Sequence, residues 1–274
     1  GLKPTYGLVS RSGVIAMASS TDVIGPITRN VADAGLVLEC MAGPDELDGT
    51  TIERDQKSYT EFENVPALKV GIVKEYFGDG VDSDVKEVTL NAINKLQDSG
   101  AVVEEISLPS LELALACYYI ICPAEVSSNL SRYDGQRYGF SAQGESLEDV
   151  YRLTRSTGFG NEAKRRIMIG TYVLSSGYYD AYYQKAQLVR TKIIKEFEAA
   201  FKKYDVLVGP TSPVTAFKLG EHTKNPLEMY LIDIMTVAAN LVGVPAASIP
   251  VGSANNMPVG LQIMTNKGHD RQLL

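Results

Sequence analysis

The residues with the clearest potential for chemistry lie in one segment, residues 164–183, which begins Lys164-Arg165-Arg166. Two arginines and five tyrosines occur there in a stretch that otherwise has the pattern of a buried helix. A buried guanidinium needs an anion, and a buried tyrosine hydroxyl needs a hydrogen-bond partner. The segment therefore predicts the wall of a pocket for a small anionic or zwitterionic ligand. The alternative is a tyrosine-rich packing helix whose arginines reach solvent.

Several common catalytic sites have little support in the sequence. The two histidines, His222 and His269, lie among polar loop residues, so a Ser-His-Asp triad is disfavoured. The sequence contains no HExxH, no paired CxxC and no Walker loop. The three cysteines, Cys40, Cys117 and Cys122, have apolar sequence neighbours. Their odd number and spacing predict small buried thiols, and argue against disulfides or a zinc site.

Composition indicates a globular protein of ordinary type, since 45% of its 274 residues are hydrophobic and 22% are charged. This length can bury one large core or two small ones. The net charge of −7 makes the chain a poor candidate for binding RNA phosphates by itself. The absence of a run of 18 apolar residues predicts no membrane span, and no leader is visible. A reducing cytoplasm fits these features.

Hydrophobic spacing predicts the elements that must position these residues. A strand, a helix and a second strand over residues 69–108 predict a parallel pair in an α/β layer. The first helix is expected to be capped by Thr28, and the longest to break at Gly170 or at Ser175-Ser176-Gly177. Helices are predicted at 28–42, 82–99, 112–130, 146–156, 161–202 and 227–242. Strands are predicted at 69–74, 102–108, 206–211, 247–251 and 259–264, the last two joined by a turn over 252–258.

Several motifs together resemble a known family. The arginine–tyrosine segment follows Arg132-Tyr133-Asp134-Gly135-Gln136-Arg137-Tyr138-Gly139. The chain opens with Gly1-Leu2-Lys3-Pro4-Thr5-Tyr6-Gly7, followed by Ser19-Ser20-Thr21-Asp22 and Gly25-Pro26. Over nearly all 274 residues it resembles the amidase-signature family. The arginine–tyrosine segment is more specific, and is similar to the glutaminase subunits, or A subunits, of the glutamyl-tRNA(Gln) amidotransferases.

The resemblance implies an amidase-signature fold. This is an α/β architecture with a central mixed β-sheet flanked by helices, here truncated at its N-terminal side. The implied core α/β layer covers about 1–110 and 203–274, and a helical glutamine-pocket insertion covers about 111–202. The family's nucleophilic serine, bridging serine and lysine base precede the Gly-Leu-Lys-Pro-Thr motif. No catalytic residue is therefore assigned within this chain, which we expect to be an inactive fragment when it is alone.

The resemblance also supplies candidate residues for binding glutamine, which carries a carboxylate and an ammonium group. The family's carboxylate-binding arginine aligns with Arg166, its acid for the amino group with Asp233, and its pocket tyrosine with Tyr118. Each assignment has an alternative: Arg166 could be a surface arginine, Asp233 a locally paired aspartate, and Tyr118 a core tyrosine. Asp233 interrupts an apolar helical run, and a carboxylate buried there without a partner would cost several kcal/mol.

The implied function is that of a glutaminase subunit that supplies ammonia for converting Glu-tRNA(Gln) to Gln-tRNA(Gln). The implied partners are the B and C subunits of a heterotrimer, with no membrane. ATP, magnesium and tRNA are expected to bind mainly to the B subunit. Two alternatives remain open. One is a general amidase of the same superfamily, which a glutamine-binding test would distinguish. The other is a non-catalytic fragment that keeps only a partner-binding surface.

Overall fold

A computed structural model describes residues 1–62, 67–137, 139–221 and 226–274. Tyr138 of the upstream motif and His222 lie outside the described residues. The chain divides into two compact units. The α/β unit comprises Gly1–Gly13, Val23–Leu115 and Arg190–Leu274, and the helical unit comprises Val14–Asp22 and Ala116–Val189.

A mixed sheet of six strands organises the α/β unit. Its strands are β1 (Leu2–Lys3), β2 (Lys69–Val73), β3 (Val102–Ile106), β4 (Val206–Pro210), β5 (Ala246–Ala254) and β6 (Met257–Met264). Their order in the sheet is β1-β5-β6-β4-β2-β3. Strand β2 is parallel to β3 and β4, whereas β6 is antiparallel to β4 and β5. The predicted mixed sheet and the predicted parallel pair are therefore confirmed.

The α-helices alternate with these strands and, in the central part of the chain, follow one another directly. They are α1 (Val31–Met41), α2 (Ser83–Asp98), α3 (Ala114–Leu130), α4 (Leu147–Gly158), α5 (Asn161–Leu174), α6 (Lys185–Phe201), α7 (Pro226–Ile232), α8 (Val237–Val242) and α9 (Asp270–Leu273). Short 3₁₀ turns cover Lys74–Phe77, Pro109–Leu113 and Asp233–Met235, and a π-helical turn covers Tyr179–Gln184.

Apolar residues from the sheet and the helices form the core of the α/β unit. One buried cluster joins Val70, Val206, Val208 and Leu261 of the sheet to Ile93 of α2. Ile93 on the buried face of α2 thus packs on both the parallel and the antiparallel strands of the sheet. A second cluster comprises Leu2, Leu8, Val9, Ala34, Leu38 and Tyr59, which fixes α1 against the start of the chain.

The structure corrects several predictions of local detail. Asn30, not Thr28, caps α1, because its side chain accepts a hydrogen bond from the amide of Asp33. Strands β5 and β6 are longer than predicted and are joined through Asn255 and Asn256, both with positive φ, rather than by a turn over 252–258. Cys40 is exposed rather than buried, while Cys117 and Cys122 are buried as predicted.

Two long predicted helices are interrupted. The helix predicted at 161–202 breaks after α5, where Gly177 adopts a φ of 87°, and this agrees with one of the two predicted break points. The helix predicted at 227–242 divides into α7, a 3₁₀ turn and α8. The break places Asp233 at the start of the 3₁₀ turn rather than inside a continuous helix.

One segment, Pro109–Leu130, is long and apolar enough to cross a membrane by length and composition alone. Half of its most apolar stretch is buried inside the protein, as is typical of a core helix. The expectation of no membrane span rested on the absence of an unbroken run of 18 apolar residues, and this segment, which contains Glu112 and Glu125, is not such a run.

Candidate functional site

Arg166 lies on α5 with most of its side chain buried. The side chain is 15% exposed, whereas that of the neighbouring Arg165 is 42% exposed. One turn earlier, Glu162 forms ion pairs with both arginines, and its Oε1 lies 2.9 Å from Nε of Arg166. The i, i+4 spacing on a helix brings the two charges together. The alternative of a solvent-facing arginine therefore describes Arg165 better than Arg166.

Three residues of α3 surround the Arg166 guanidinium within the helical unit. Its Nη1 lies 3.4 Å from the hydroxyl of Tyr118 and 3.5 Å from Sγ of Cys122. Its central carbon lies 5.6 Å from the ring centroid of Tyr119, within cation–π distance. The structure therefore brings together two of the three predicted site residues, Arg166 and Tyr118, which are 48 positions apart in sequence.

The protonation states of this cluster suit the binding of an anion. Burial raises the pKa of Tyr118 to about 12, with a smaller effect from Cys122, so the phenol is neutral at neutral pH. Burial also raises the pKa of the Cys122 thiol. For Arg166, burial opposes the charge, but hydrogen bonds to Tyr118 and Glu162 raise its pKa above the ordinary value. The Arg166 cation is paired with Glu162 through Nε and lies beside the neutral Tyr118 hydroxyl through Nη1, so a ligand carboxylate would meet a fixed guanidinium and a neutral hydroxyl donor.

The loop over residues 14–22 supports this cluster from within the helical unit. Ala18 is buried against Cys122 and Val126 of α3. The Asp22 carboxylate accepts hydrogen bonds from the amides of Met17 and Ala18 and so holds the loop closed. This part of the Ser19-Ser20-Thr21-Asp22 motif therefore positions the cluster.

The same loop is also tied to α3 by hydrogen bonds. The amide of Ser20 donates to the Glu125 carboxylate at 2.8 Å, and Nδ2 of Asn129 donates to Oγ of Ser19 at 2.8 Å. These two contacts fix the loop on the helix that carries Tyr118 and Cys122.

Asp233 belongs to the α/β unit and is half-buried. It begins the 3₁₀ turn Asp233–Met235, and its carbonyl accepts hydrogen bonds from the amide and the hydroxyl of Thr236. The backbone role of Asp233 is thus to end the helical run.

A cavity of about 460 Å³ lies beside this turn within the α/β unit and includes Ile232 in its wall. Its polar lining consists largely of hydroxyl groups, two of which, on Thr211 and Ser248, lie 2.8 Å apart. Ser212 and Thr215 add two more hydroxyls. Such a lining offers donors and acceptors to an uncharged polar ligand group, such as an amide.

The tyrosines of the arginine–tyrosine segment are mostly not buried. The rings of Tyr172, Tyr178 and Tyr182 cluster, with centroids 4.3 to 6.2 Å apart, yet each residue is more than 40% exposed. The expectation of a buried helix is therefore wrong for these three. Tyr172 precedes the break at Gly177, and Tyr178 and Tyr182 follow it. Tyr182 lies in the π-helical turn Tyr179–Gln184 and is exposed there.

Sequence reasoning assigned no role to three members of the cluster, Glu162, Tyr119 and Cys122. The spacing of Glu162 from Arg165 and Arg166, three and four positions, could have predicted the ion pairs. Cys122 carried no such signal, because its contact with Arg166 depends on the packing of α3 against α5.

Comparison with known proteins finds relatives that share one name. The chain is 56% identical over 268 residues to the A subunit of the glutamyl-tRNA(Gln) amidotransferase of Halothermothrix orenii, covering 96% of this chain and 56% of that protein. It is 52% identical to the protein of the same name from a Staphylococcus aureus strain, covering 96% of this chain and 55% of that protein. The chain thus spans about half the length of the curated relatives that it matches.

Solved structures give the same picture. The A subunit of the glutamyl-tRNA(Gln) amidotransferase from Thermotoga maritima superposes with a TM-score of 0.80 at 42% identity, covering 100% of this chain and 55% of that one. A bacterial aryl acylamidase of the amidase-signature enzymes superposes with a TM-score of 0.76 at 20% identity, which shows a shared fold only. The mixed sheet flanked by helices is accordingly the amidase-signature fold. Since the Amidase family matches residues 1–274, the whole of this sequence, the chain belongs to the Amidase family.

Proposed function

We propose that this chain forms part of the glutaminase subunit of a tRNA-dependent amidotransferase. Relatives that are 52–56% identical are named as A subunits of the glutamyl-tRNA(Gln) amidotransferase, which supports this assignment. The observation that carries it is the largely buried Arg166 beside Tyr118. A general amidase that acts on uncharged amides has no need of a fixed guanidinium in its pocket.

In the proposed reaction, Arg166 binds the α-carboxylate of glutamine. Its Nε and Nη1 contact described residues, while its Nη2 makes no hydrogen bond to another described residue. Nη2 and the Tyr118 hydroxyl can therefore both face a ligand carboxylate. Asp233 holds the α-ammonium.

The chemical step follows the amidase-signature mechanism. The nucleophilic serine attacks the side-chain amide carbon, its proton passes through the second serine and the lysine to the leaving nitrogen, and ammonia departs. Water then hydrolyses the acyl-enzyme to glutamate. Arg166, Tyr118 and Asp233 perform none of these proton transfers. Their role is to bind and orient glutamine.

The larger assembly is part of the same proposal. Ammonia passes to the B subunit, where Glu-tRNA(Gln) is converted to Gln-tRNA(Gln) with ATP and magnesium, and the C subunit wraps between the two. The net charge of −7 supports the placement of tRNA on another subunit, because a negatively charged chain repels phosphates. The cytoplasm is the proposed location.

The test compares Arg166→Ala with Arg165→Ala in a full-length subunit of the family that carries these residues. We expect Arg166→Ala to lower kcat/KM for glutamine by a factor that corresponds to about 2–5 kcal/mol of lost transition-state stabilisation, since its loss leaves the ligand carboxylate unpaired. Arg165→Ala should cost much less, because that side chain is 42% exposed.

An amide substrate without the α-carboxylate provides the control. The parent enzyme should use it poorly, and Arg166→Ala should penalise it little, since both partners are then absent. Equal defects of the two arginine variants with glutamine would refute the proposed role of Arg166.

A further inference from the structure

Glu162 connects the two arginines of α5 through different oxygen atoms. Its Oε1 accepts a hydrogen bond of 2.9 Å from Nε of Arg166, and its Oε2 pairs with Nη1 of Arg165. The side chain of Glu162 is 48% exposed, whereas that of Arg166 is 15% exposed. The carboxylate therefore reaches from the surface of the helical unit to a largely buried guanidinium.

This contact decides which edge of Arg166 a ligand can use. A guanidinium can hold a carboxylate with two parallel hydrogen bonds, either through Nε and Nη2 or through Nη1 and Nη2. Because Glu162 accepts from Nε, the first of these edges is not available. The second edge remains, and its Nη1 lies 3.4 Å from the hydroxyl of Tyr118.

The negative charge of Glu162 would by itself oppose an incoming carboxylate. Arg165 offsets it, since two cations and one anion leave the three side chains with a net charge of +1. The carboxylate of Glu162 is also half in solvent, which screens its charge. The hydrogen bond at Nε, by contrast, fixes a side chain that is mostly buried, so its orienting effect should outweigh the repulsion.

We propose that Glu162 is a positioning residue of the glutamine site and that Arg165 supports it. Glu162 holds the Nε edge of Arg166, which leaves the Nη1–Nη2 edge to bind the α-carboxylate. The inference rests on the proposed function, since it requires Arg166 to bind glutamine. The α-carboxylate takes no part in breaking the amide bond, so Glu162 acts on substrate binding and not on the chemical step.

The experiment measures KM and kcat for glutamine in a full-length subunit of the family that carries these residues. Glu162→Ala should raise the KM by about tenfold, because Arg166 then has to be ordered by the ligand itself. The kcat should stay within about twofold, since contacts to the α-carboxylate are the same in the ground state and the transition state. Glu162→Gln should raise the KM by only about threefold, because its amide oxygen can still accept from Nε.

Glu148 provides a matched control. It is exposed and is the second residue of α4, as Glu162 is the second residue of α5. Acids at both positions favour a helix N-terminus, but Glu148 forms no ion pair with another described residue. Glu148→Ala should therefore leave the KM unchanged.

Arg165 is tested by a double-mutant cycle. Arg165→Ala should raise the KM by about twofold when Glu162 is present and have no further effect in Glu162→Ala, because its only proposed role is to support Glu162. Additive effects would contradict that role. The cycle separates support of the site from loss of folded protein, which lowers kcat per total enzyme and leaves the KM unchanged. If Glu162→Ala loses its circular dichroism spectrum, Glu162→Gln and Arg165→Ala carry the test.

The outcomes distinguish this inference from the proposed function. A KM that is unchanged or lowered in Glu162→Ala and Glu162→Gln would overturn it, since repulsion by Glu162 would then equal or exceed its orienting effect. An equal rise in Glu148→Ala would also overturn it. If Arg166→Ala, measured beside them, raises the KM strongly while the Glu162 variants do not, only the inference fails. If Arg166→Ala leaves the KM unchanged, the proposed function fails with it.

Discussion

At the scale of single residues, Arg166 shows how one guanidinium is prepared for an incoming anion. Glu162 and Tyr118 fix its Nε and Nη1, and Tyr119 lies under its face. Because these contacts hold the side chain in one orientation, little conformational entropy remains to be lost when a ligand binds. The pair with Glu162 lowers the net charge of the cluster, and this limits non-specific attraction of anions.

Asp233 gives the first prediction at this scale. In a full-length subunit, Asp233→Asn should raise the KM for glutamine strongly, since it removes the charge that we propose to bind the α-ammonium. A substrate without the α-amino group should be used poorly by the parent and be penalised much less by Asp233→Asn. The measurement is kcat/KM for two enzymes and two substrates. Losses that simply add would assign Asp233 a structural role, consistent with its place at the 3₁₀ turn.

Lys3 gives a prediction about pH. Burial lowers the pKa of Lys3 to about 8, although Asp270 acts in the opposite direction. The folded state therefore disfavours the charged amine. The charged Lys3 therefore lowers the free energy of unfolding. This destabilisation is fully present below pH 8 and disappears as the pH rises toward the unfolded pKa of about 10.4.

Lys3→Met should consequently raise the free energy of unfolding by more at pH 7 than at pH 10. The difference between the two increases should be on the order of 2–3 kcal/mol. Denaturant unfolding at the two pH values measures the difference. Lys95→Met, at an exposed position of α2, is the matched control and should show little change between them. A Lys3→Met effect that is the same at both pH values would contradict the assigned cost of burying the charge.

At the scale of elements, the Arg166 cluster depends on the close approach of α5 to α3. Gly170 lies at the crossing, where an added Cβ would collide with the carbonyl oxygen of Pro123 and the side chain of Ser127. A glycine at this point allows the two backbones to approach each other. It lies four residues after Arg166, so the crossing also sets the distance from Arg166 to Tyr118.

Gly170→Ala should therefore destabilise the protein by about 1–3 kcal/mol, despite the better helix propensity of alanine. It should also reduce glutamine use in a full-length subunit, because α5 must shift away from Tyr118. Gly160→Ala is the matched control, since nothing lies within 4 Å of a Cβ at that position. Chemical denaturation of both variants tests the prediction, and equal stabilities would show that the crossing can relax.

The elements also show what the sequence can predict. Hydrophobic spacing located the parallel pair of β2 and β3, because a strand–helix–strand pattern can be read from local periodicity, whereas the mixed sheet was predicted from the family resemblance. The break of α7 before Asp233 and the π-helical turn at Tyr179 were not predicted. Both breaks depend on tertiary packing rather than on glycine or proline signals within them. The contact of Arg166 with Tyr118 likewise required a family resemblance, since no local pattern joins positions 48 apart.

At the scale of the whole molecule, the chain spans about 56% of its Halothermothrix orenii relative. The residues that we assign to glutamine bind and orient it, and binding alone does not break an amide bond. Orientation accelerates a reaction only when a nucleophile is present at the oriented carbon. The proposed function therefore separates recognition, to which these 274 residues contribute, from the covalent step.

The last prediction follows from this separation. The pure 274-residue chain should release no ammonia from glutamine above a heat-denatured control, because the family resemblance assigns none of its residues to the serines or the lysine of the amidase-signature mechanism. A coupled ammonia assay measures the rate, with a full-length subunit of the family as the positive control. A rate that saturates with glutamine and survives repurification would show a nucleophile within these residues, and the division between recognition and chemistry would then be wrong.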